Sequence, residues 1–311
     1  MRIVITGATG FIGKALCRGL QEDYEVIALS RNTAKAKIVL GDSARPVRWD
    51  GETCEGWAHF IDGAFGVINL AGENIASGRW NKVKKERILN SRLNASQALR
   101  NAIKEAKQKP KVFVHSSAVG YYGNRGDEIV DEDSEGGEGF LVQVCRRNET
   151  VANEIEDIGV RCVIIRTGIV LGAGGGVLKK ILPSFKFYLG GCYGQAKAWF
   201  PWISLKDEVS AIRFLLENSK ANGVYNLTSP EPLLVGRFYD TLGRVMSRPV
   251  WLRPPGFVLK LAMGEMAGEV LLSGQRAMPK KLLDAGFEFE YSDLTKALGE
   301  ILDERGKDGF R

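Results

Sequence analysis

The sequence predicts an α/β fold, a doubly wound parallel β-sheet followed by a smaller, α-rich C-terminal region. Three observations predict it. Short apolar runs alternate with helical patterns over the first 165 residues, a glycine-rich loop joins the first run to the first helix, and the alternation loosens beyond Gly172. Strand–helix alternation is typical of a parallel sheet with helices on both faces, because each crossover helix returns the chain to the same sheet edge.

The elements follow in order along the chain. Short apolar runs predict strands over residues 2–6, 25–29, 66–71, 111–115 and 160–165. Apolar residues at helical spacing predict helices over residues 12–20, 80–106, 140–156 and 207–218. We place a domain boundary near Gly168, between a sheet domain (1–168) and a substrate-side region (169–311), and expect later strands to return to the sheet.

Composition excludes several classes of protein. The net charge of +6 is mild and basic residues alternate with acids, which argues against a nucleic-acid partner. The longest apolar run is interrupted by Arg161 and Arg166, so we expect no membrane span. Five scattered cysteines and two histidines favour neither disulfides nor a metal site. The N-terminus lacks the features of a signal peptide, so we expect a cytoplasmic protein with a small-molecule substrate.

A glycine-rich loop at the N-terminus indicates a bound dinucleotide. It directly follows a predicted strand, opens a helix, and reads Gly7-Ala8-Thr9-Gly10-Phe11-Ile12-Gly13. In such a loop one glycine makes the tight turn, one lets the backbone reach the pyrophosphate, and one lets the helix pack on the strand. The phosphates then lie at the positive end of the helix. The pattern predicts a Rossmann domain.

The end of the second strand distinguishes NADP from NAD. An NAD-binding protein places an acidic residue there for the ribose 2′-hydroxyl, whereas this chain has Ser30 and Arg31, with Lys35 and Lys37 close behind. A guanidinium suits a 2′-phosphate. The alternative is that Arg31 is simply an exposed loop residue. The predicted cofactor is NADP.

Several motifs resemble those of a known family. The N-terminal ITGATGFIG is similar to the extended short-chain dehydrogenase/reductase superfamily. Nearly the whole chain resembles the nucleoside-diphosphate-sugar epimerase-like family with a short extra C-terminal domain, here residues 249–302. The residues that carry this resemblance are NLAGENI at 69–75, Arg79-Trp80, Ser91-Arg92, SSAVGYYG at 116–123, VLG at 170–172, GGG at 174–176 and Trp202-Ile203.

The resemblance implies positions for the cofactor. The loop from Gly7 to Gly13 holds the pyrophosphate, and Ser30 and Arg31 hold the 2′-phosphate. The remaining implied contacts are Leu70, Ala71 and Gly72 at the adenine-side ribose, Glu86 and Arg92 on the next helix, and Val170 near the nicotinamide. Without the resemblance, Glu86 and Arg92 read as ordinary charged helix residues.

The sequence departs from this family at the catalytic motif. Extended reductases use a Tyr and a Lys four residues later for proton transfer, and this chain has no Y-x-x-x-K. Counting back from Glu149, Leu141 and Cys145 occupy those two positions.

Two polar candidates for the chemistry remain. They are Ser117, which matches a residue that bonds a substrate oxygen, and Tyr121 or Tyr122 as a substitute proton donor. The tyrosines also fit a packing role, with hydroxyls bonded to backbone. His115 fits a core position better than a catalytic base.

The leading functional hypothesis is an NADP-dependent oxidoreductase or epimerase that acts on a small polar substrate such as a nucleotide sugar. The alternative is an NADP-binding redox sensor or scaffold without turnover, which the missing Tyr–Lys pair keeps open.

Overall fold

The structure is a computed structural model that describes the backbone of residues 1–307 and the side chains of residues 1–304. In chain order the strands are β1 (Arg2–Thr6), β2 (Glu25–Ser30), β3 (Arg45–Arg48), β4 (Gly66–Asn69), β5 (Val112–Ala118), β6 (Ile129–Val130), β7 (Arg161–Thr167), β8 (Ile169–Leu171), β9 (Trp199–Phe200), β10 (Trp202–Ser204), β11 (Gly223–Leu227), β12 (Leu233–Leu234) and β13 (Arg276–Ala277). The α-helices are α1 (Phe11–Leu20), α2 (Thr33–Leu40), α3 (Lys82–Glu105), α4 (Phe140–Asn153), α5 (Gly176–Lys186), α6 (Leu205–Glu217), α7 (Val235–Met246), α8 (Gly256–Met263), α9 (Lys280–Asp284) and α10 (Leu294–Lys307).

Seven strands form the central sheet in the order β11-β7-β5-β4-β1-β2-β3, and every neighbouring pair is parallel. The order 3-2-1-4-5 is that of a Rossmann fold, with the topological switch between β1 and β4. Strand β11 comes from beyond residue 168, so the sheet takes its outermost strand from the later part of the chain. The boundary near residue 168 stays a prediction.

Helices cover both faces of the sheet, as predicted. Side chains alternate along a strand, so Ile3 and Ile5 of β1 enter one core while Val4 enters the other. The first core contains Leu16 of α1, and the second contains Leu99 of α3; all five side chains are fully buried. Burial on both faces is why the parallel strands read as continuous apolar runs.

A third core lies in the C-terminal part of the chain, which is α-rich as predicted. It gathers side chains from α5, α7 and α10 around Trp202 and Phe238. Of the predicted substrate-side region, residues 308–311 lie outside the described residues. No helix within residues 1–307 combines the length and the apolar character needed to cross a membrane.

The structure corrects three local predictions. The elements α2 and β3 are missing from the sequence prediction. Strand β3 reads Arg-Pro-Val-Arg and so lacks apolar alternation. It tolerates Pro46 because it is an edge strand. Strand β4 ends at Asn69, because the Thr6 hydroxyl accepts hydrogen bonds from the amides of Leu70 and Ala71, each at 3.2 Å. Strand β5 extends to Ala118.

Candidate cofactor and active site

A cleft of about 430 Å³ lies at the carboxyl ends of β1, β2 and β4. It occupies the switch point of the sheet, which is where ligands bind in open α/β folds. The cleft brings together eight of the predicted cofactor residues, namely Gly7, Thr9, Gly10, Ser30, Arg31, Leu70, Ala71 and Gly72.

The three loop glycines have separate structural roles. Gly7 has φ +66°, and a Cβ there would lie 2.4 Å from the carbonyl oxygen of Leu70. A Cβ on Gly13 would lie 2.4 Å from the oxygen of Gly7, so Gly13 allows the helix to pack against the loop. Gly10 is exposed, and the one neighbour of its Cβ would be the Gly7 oxygen at 3.0 Å. Gly10 therefore leaves its outer side open to a phosphate.

The far end of the cleft is basic. Arg31 is exposed there, and Asn32 caps α2 by accepting a hydrogen bond from the amide of Lys35 at 2.9 Å. The cap places Lys35 in the first helical turn, where it lines the cleft beside Arg31. Lys37 instead pairs with Asp42 at 2.9 Å. Arg31 and Lys35, but not Lys37, thus fit the 2′-phosphate of a dinucleotide.

The loop after β4 is held by helix α3. The amide of Glu73 donates to the Ser91 hydroxyl at 2.9 Å, and the Glu73 carboxylate binds Lys84 at 2.5 Å. The hydrogen bond from Lys84 lowers the pKa of Glu73 below its ordinary value. Arg92 donates to the Glu73 carbonyl at 3.2 Å, and its Cζ would lie 2.8 Å from a Cβ on Gly72. Arg92 therefore supports the cleft wall from behind Gly72.

Phe11 connects the glycine loop to the second glycine-rich segment. A Cβ on Gly175 would lie 2.1 Å from its ring, and Cβ atoms on Gly172 and Gly176 would lie 3.0 and 3.1 Å from it. Gly172, Gly175 and Gly176 thus leave room for the Phe11 ring. Ile12 is packed against the core, beneath the loop.

Besides Phe11, Ile12, Gly13 and Arg92, which pack behind the cleft, two further predicted cofactor residues, Glu86 and Val170, lie outside its lining. Glu86 is exposed on α3 and lines a separate groove with Trp80 and Phe140. Val170, in β8, has its side chain buried in the core. Their roles rest on the family resemblance and stay predictions.

Another wall of the cleft is absent from the sequence prediction. It is formed by the turn after β3, from Trp49 to Glu52, and by Asn94 of α3. Asp50 shapes this turn by accepting hydrogen bonds from the amides of Glu52 and Thr53, both at 2.8 Å. Because β3 lacks a strand pattern, the sequence carries no signal for this wall.

A buried polar cluster lies at the carboxyl ends of β5 and β7. The Ser117 hydroxyl donates to Oε1 of Glu149 at 2.5 Å. Arg166 donates to both oxygens of Glu149, at 3.0 and 2.8 Å, and both residues of this ion pair are buried. Burial lowers the pKa of Arg166, but the hydrogen bonds and the charge of Glu149 outweigh it, and the pKa lies above its ordinary value. Arg166 therefore stays charged.

The two candidate tyrosines both lie against Arg166. The Tyr121 ring is half-buried, with its centroid 3.4 Å from Arg166 Cζ. Tyr122 is fully buried; its hydroxyl donates to Asn226 at 2.7 Å and accepts from Arg166 at 3.0 Å. Burial raises the pKa of Tyr122 to about 12. Tyr122 is therefore wrong as the substitute proton donor, and its hydroxyl bonds side chains, not backbone as the packing alternative expected.

His115 is a core residue, as the sequence favours. It is 1% exposed, its Nδ1 lies 3.3 Å from Nδ2 of Asn69, and burial lowers its pKa to about 4. Cys145 is also buried, next to Ser117 and Glu149, and burial raises the pKa of its thiol to about 11. Neither residue supplies a positive charge at neutral pH.

A second cavity, of about 440 Å³, opens beside Leu141 at the start of α4. The C-terminal part of the chain forms one of its walls, which includes Glu269. The Glu269 carboxylate caps α4 by accepting hydrogen bonds from the amides of Phe140 and Leu141 at 3.1 and 3.2 Å. The charged residues of the lining are Glu138, Lys260, Glu265 and Glu269. This lining has more carboxylates than cations.

Known families match most of the chain. The "NAD dependent epimerase/dehydratase family" matches residues 3–228, and a domain of unknown function, DUF1731, matches residues 254–301. The second match begins five residues after the start, and ends one residue before the end, of the C-terminal extension expected over residues 249–302.

Relatives and solved structures agree over nearly the full length. Epimerase family protein YfhF of Bacillus subtilis is 38% identical over 309 residues, which cover 98% of this chain and 99% of YfhF. The chloroplastic SDR39U1 homolog of Arabidopsis thaliana is 38% identical over 305 residues, covering 97% of this chain and 87% of the homolog.

A crystal structure of the human epimerase family protein SDR39U1 with NADPH superposes with a TM-score of 0.88 at 32% identity, covering 97% of this chain and 99% of that chain. The ligand of the human protein is the reduced form of the cofactor predicted from Ser30 and Arg31. Together with the seven-stranded sheet and the glycine loop at its switch point, these matches show that the chain belongs to the NAD dependent epimerase/dehydratase family.

Proposed function

We propose that the protein is an NADP-dependent oxidoreductase or epimerase acting on a small polar substrate. One observation carries the proposal: the dinucleotide cleft, with Arg31 and Lys35 at its far end, shares one edge of the sheet with Ser117. Carboxyl ends of parallel strands meet at that edge, so a cofactor in the cleft extends toward the chemistry at β5.

The residues present fit NADP. The loop from Gly7 to Gly13 holds the pyrophosphate through backbone amides, and Arg31 and Lys35 hold the 2′-phosphate. When bound, the cofactor supplies hydride acceptance and donation. This chain's own side chains then have to orient the reacting oxygen and move its proton.

Ser117 and Tyr121 are the proposed catalytic residues. Ser117 is half-exposed at the end of β5, so its oxygen can hydrogen-bond a substrate oxygen. Tyr121 is half-buried with its ring against Arg166, and we place its hydroxyl at the same oxygen as a hydrogen-bond donor. With Leu141 and Cys145 in place of the usual Tyr and Lys, Ser117 and Tyr121 are the hydroxyls proposed to reach the reacting oxygen.

The substrate occupies the cavity beside Leu141. Three carboxylates and one lysine line it, so its charge suits an uncharged or cationic substrate better than a nucleoside diphosphate sugar. Lys85 pairs with Glu265 at 2.8 Å and offsets one of the carboxylates. A test panel therefore contains keto-sugars, amino-ketoses and small ketones beside UDP-glucose.

Turnover of bound NADPH tests the proposal. Fluorescence decay of the protein–NADPH complex is followed after mixing with each member of the panel, and decay with an uncharged carbonyl is the expected result. Tyr121→Phe should slow that decay by about 10²- to 10⁴-fold while leaving NADPH affinity unchanged. NADPH that binds but is oxidised by no member of the panel contradicts turnover.

That negative result would favour the second candidate, a cofactor-binding sensor or scaffold. The observation that supports the sensor is the pair Leu141 and Cys145, which cannot perform the usual proton transfer. For either function we propose the cytoplasm as the compartment, tested by cell fractionation.

A further inference from the structure

A buried carboxylate, that of Glu149, lies behind Ser117, and a catalytic role for it rests on the proposed function. Ser117 lies between a half-exposed surface and a buried carboxylate, because its hydroxyl donates at 2.5 Å to Glu149, which is 6% exposed. A hydroxyl that already donates to a carboxylate has its oxygen lone pairs free to accept a proton from outside. Among the described residues, Ser117 thus links Glu149 to a substrate oxygen.

Glu149 is held in place for this link. Arg166 binds both of its oxygens, and the remaining Nη1 of Arg166 donates to Tyr122, whose hydroxyl donates on to Asn226. Two parallel hydrogen bonds between a guanidinium and a carboxylate fix orientation as well as charge. The carboxylate cannot swing toward solvent, so its route to the site runs through Ser117.

A second buried carboxylate, that of Glu208, has different partners from Glu149. Glu208 is 0% exposed and accepts from the Thr167 hydroxyl at 2.8 Å, and no cation among the described side chains is bonded to it. Burial raises the pKa of Glu208 to about 8. Glu208 is therefore mostly protonated at neutral pH, whereas Glu149 faces a permanent positive charge.

We propose that Glu149 is the proton acceptor behind Ser117 and, with it, replaces the missing Tyr–Lys pair. When a substrate alcohol is oxidised, its O–H bond breaks and the proton moves to Ser117 Oγ, while the Ser117 proton moves to Glu149 Oε1. The C–H electron pair leaves with its hydrogen as hydride to NADP⁺, and the C=O bond forms. The substrate loses two electrons and two hydrogens, of which NADP⁺ takes the hydride and Glu149 the proton. Reduction runs the same transfers backward.

The kinetic test measures NADPH formation from the alcohol whose ketone reacts fastest in the panel. Ser117→Ala leaves the Glu149–Arg166 pair intact and should slow the reaction by about 10²- to 10⁴-fold. Ser117→Thr keeps a hydroxyl and should restore most of the rate. Glu149→Gln should cost as much as Ser117→Ala, and the double variant no more than either, because both act in one step.

The matched control is Glu208→Gln, which at pH 7 should leave the rate unchanged because Glu208 is already mostly neutral. A second readout does not depend on turnover. In protein with ¹³C-labelled glutamate carboxyls and bound NADP⁺, Ser117→Ala should change the chemical shift of the Glu149 carboxyl signal at a fixed, neutral pH, because the hydroxyl that donates to Oε1 is lost, and Ser117→Thr should not. Glu149→Gln assigns the signal.

The outcomes separate the two proposals. Any one of three results would overturn the relay: full activity in Glu149→Gln, a wild-type rate in Ser117→Ala, or a Glu149 carboxyl signal that Ser117→Ala does not change. Turnover by the wild type would still support the proposed function in each of these cases. A wild type that converts no alcohol or carbonyl overturns the proposed function, and the relay with it. If Glu149→Gln does not fold, because Arg166 is left buried and unpaired, the Ser117 variants and the carboxyl signal still decide.

Discussion

The two ends of the crevice are built in different ways. The part of the cofactor end that faces the pyrophosphate is made of backbone and glycine, and it lies within seven consecutive residues, Gly7 to Gly13. The chemical end is made of side chains from separate elements: Ser117 on β5, Glu149 on α4, and Arg166 on β7. The pyrophosphate loop is thus a local property of the chain, whereas the proton chemistry depends on how distant segments pack.

The largest expected effect breaks the cofactor end. Gly10→Val should abolish NADPH binding, because the side chain would fill the open side of Gly10 that faces the pyrophosphate. Fluorescence titration with NADPH measures the loss, and circular dichroism checks the fold. Gly299→Ala is the control, since its Cβ would meet nothing within 4 Å on α10. Wild-type affinity in a folded Gly10→Val protein would place the phosphates elsewhere.

A smaller effect sharpens the distinction between cofactors. Arg31→Ala should weaken NADPH binding by about 10- to 150-fold, since a charge-assisted hydrogen bond contributes about 1.5–3 kcal/mol. Binding of NADH should hardly change, because it lacks the 2′-phosphate. Lys37→Ala is the matched control, since Lys37 pairs with Asp42 away from the cleft. Equal losses for NADPH and NADH would refute the role of Arg31.

The last expected effect concerns stability rather than binding, and it involves the second buried carboxylate, Glu208. Burial raises the pKa of Glu208 from 4.5 to about 8, so folding takes up a proton between these values. The contribution of this group to stability is therefore fully present below pH 4.5 and is lost as the pH rises to 8, by at most about 1.4 kcal/mol per pH unit.

Glu208→Gln removes that dependence. Its melting temperature relative to the wild type should rise between pH 5 and pH 9, as measured by thermal denaturation at both values. A difference that stays constant between the two pH values would show that Glu208 does not titrate in this range.

The same contrast explains how much the sequence could predict. Gly7, Gly10 and Gly13 are adjacent in the chain, so their spacing alone indicates the loop, and Arg31 follows from its place at the end of β2. The strands of the sheet are apolar because both faces are covered, which makes them readable. Strand β3 is at the edge and reads Arg-Pro-Val-Arg, so neither it nor the cleft wall beyond it could be found.

Tertiary partners could not be predicted at the chemical end. Ser117 and Glu149 are 32 residues apart, and Arg166 lies 17 residues beyond Glu149, so no spacing rule joins them. Sequence spacing likewise makes Lys35 and Lys37 equal candidates for the 2′-phosphate. In the structure the Asn32 cap places Lys35 at the cleft, whereas Lys37 pairs with Asp42. Glu269 reaches α4 from the C-terminal part of the chain, across 129 residues.

The central claim, hydride transfer by a site without the Tyr–Lys pair, is tested most directly by isotope transfer. Protein loaded with NADPH that carries deuterium at C4 of the nicotinamide is mixed with the carbonyl panel, and the masses of the products are measured by mass spectrometry. The account predicts an alcohol that carries one deuterium from the cofactor, formed by the wild type and much more slowly by Ser117→Ala. Cofactor that stays bound, with no deuterium in any product, would contradict it.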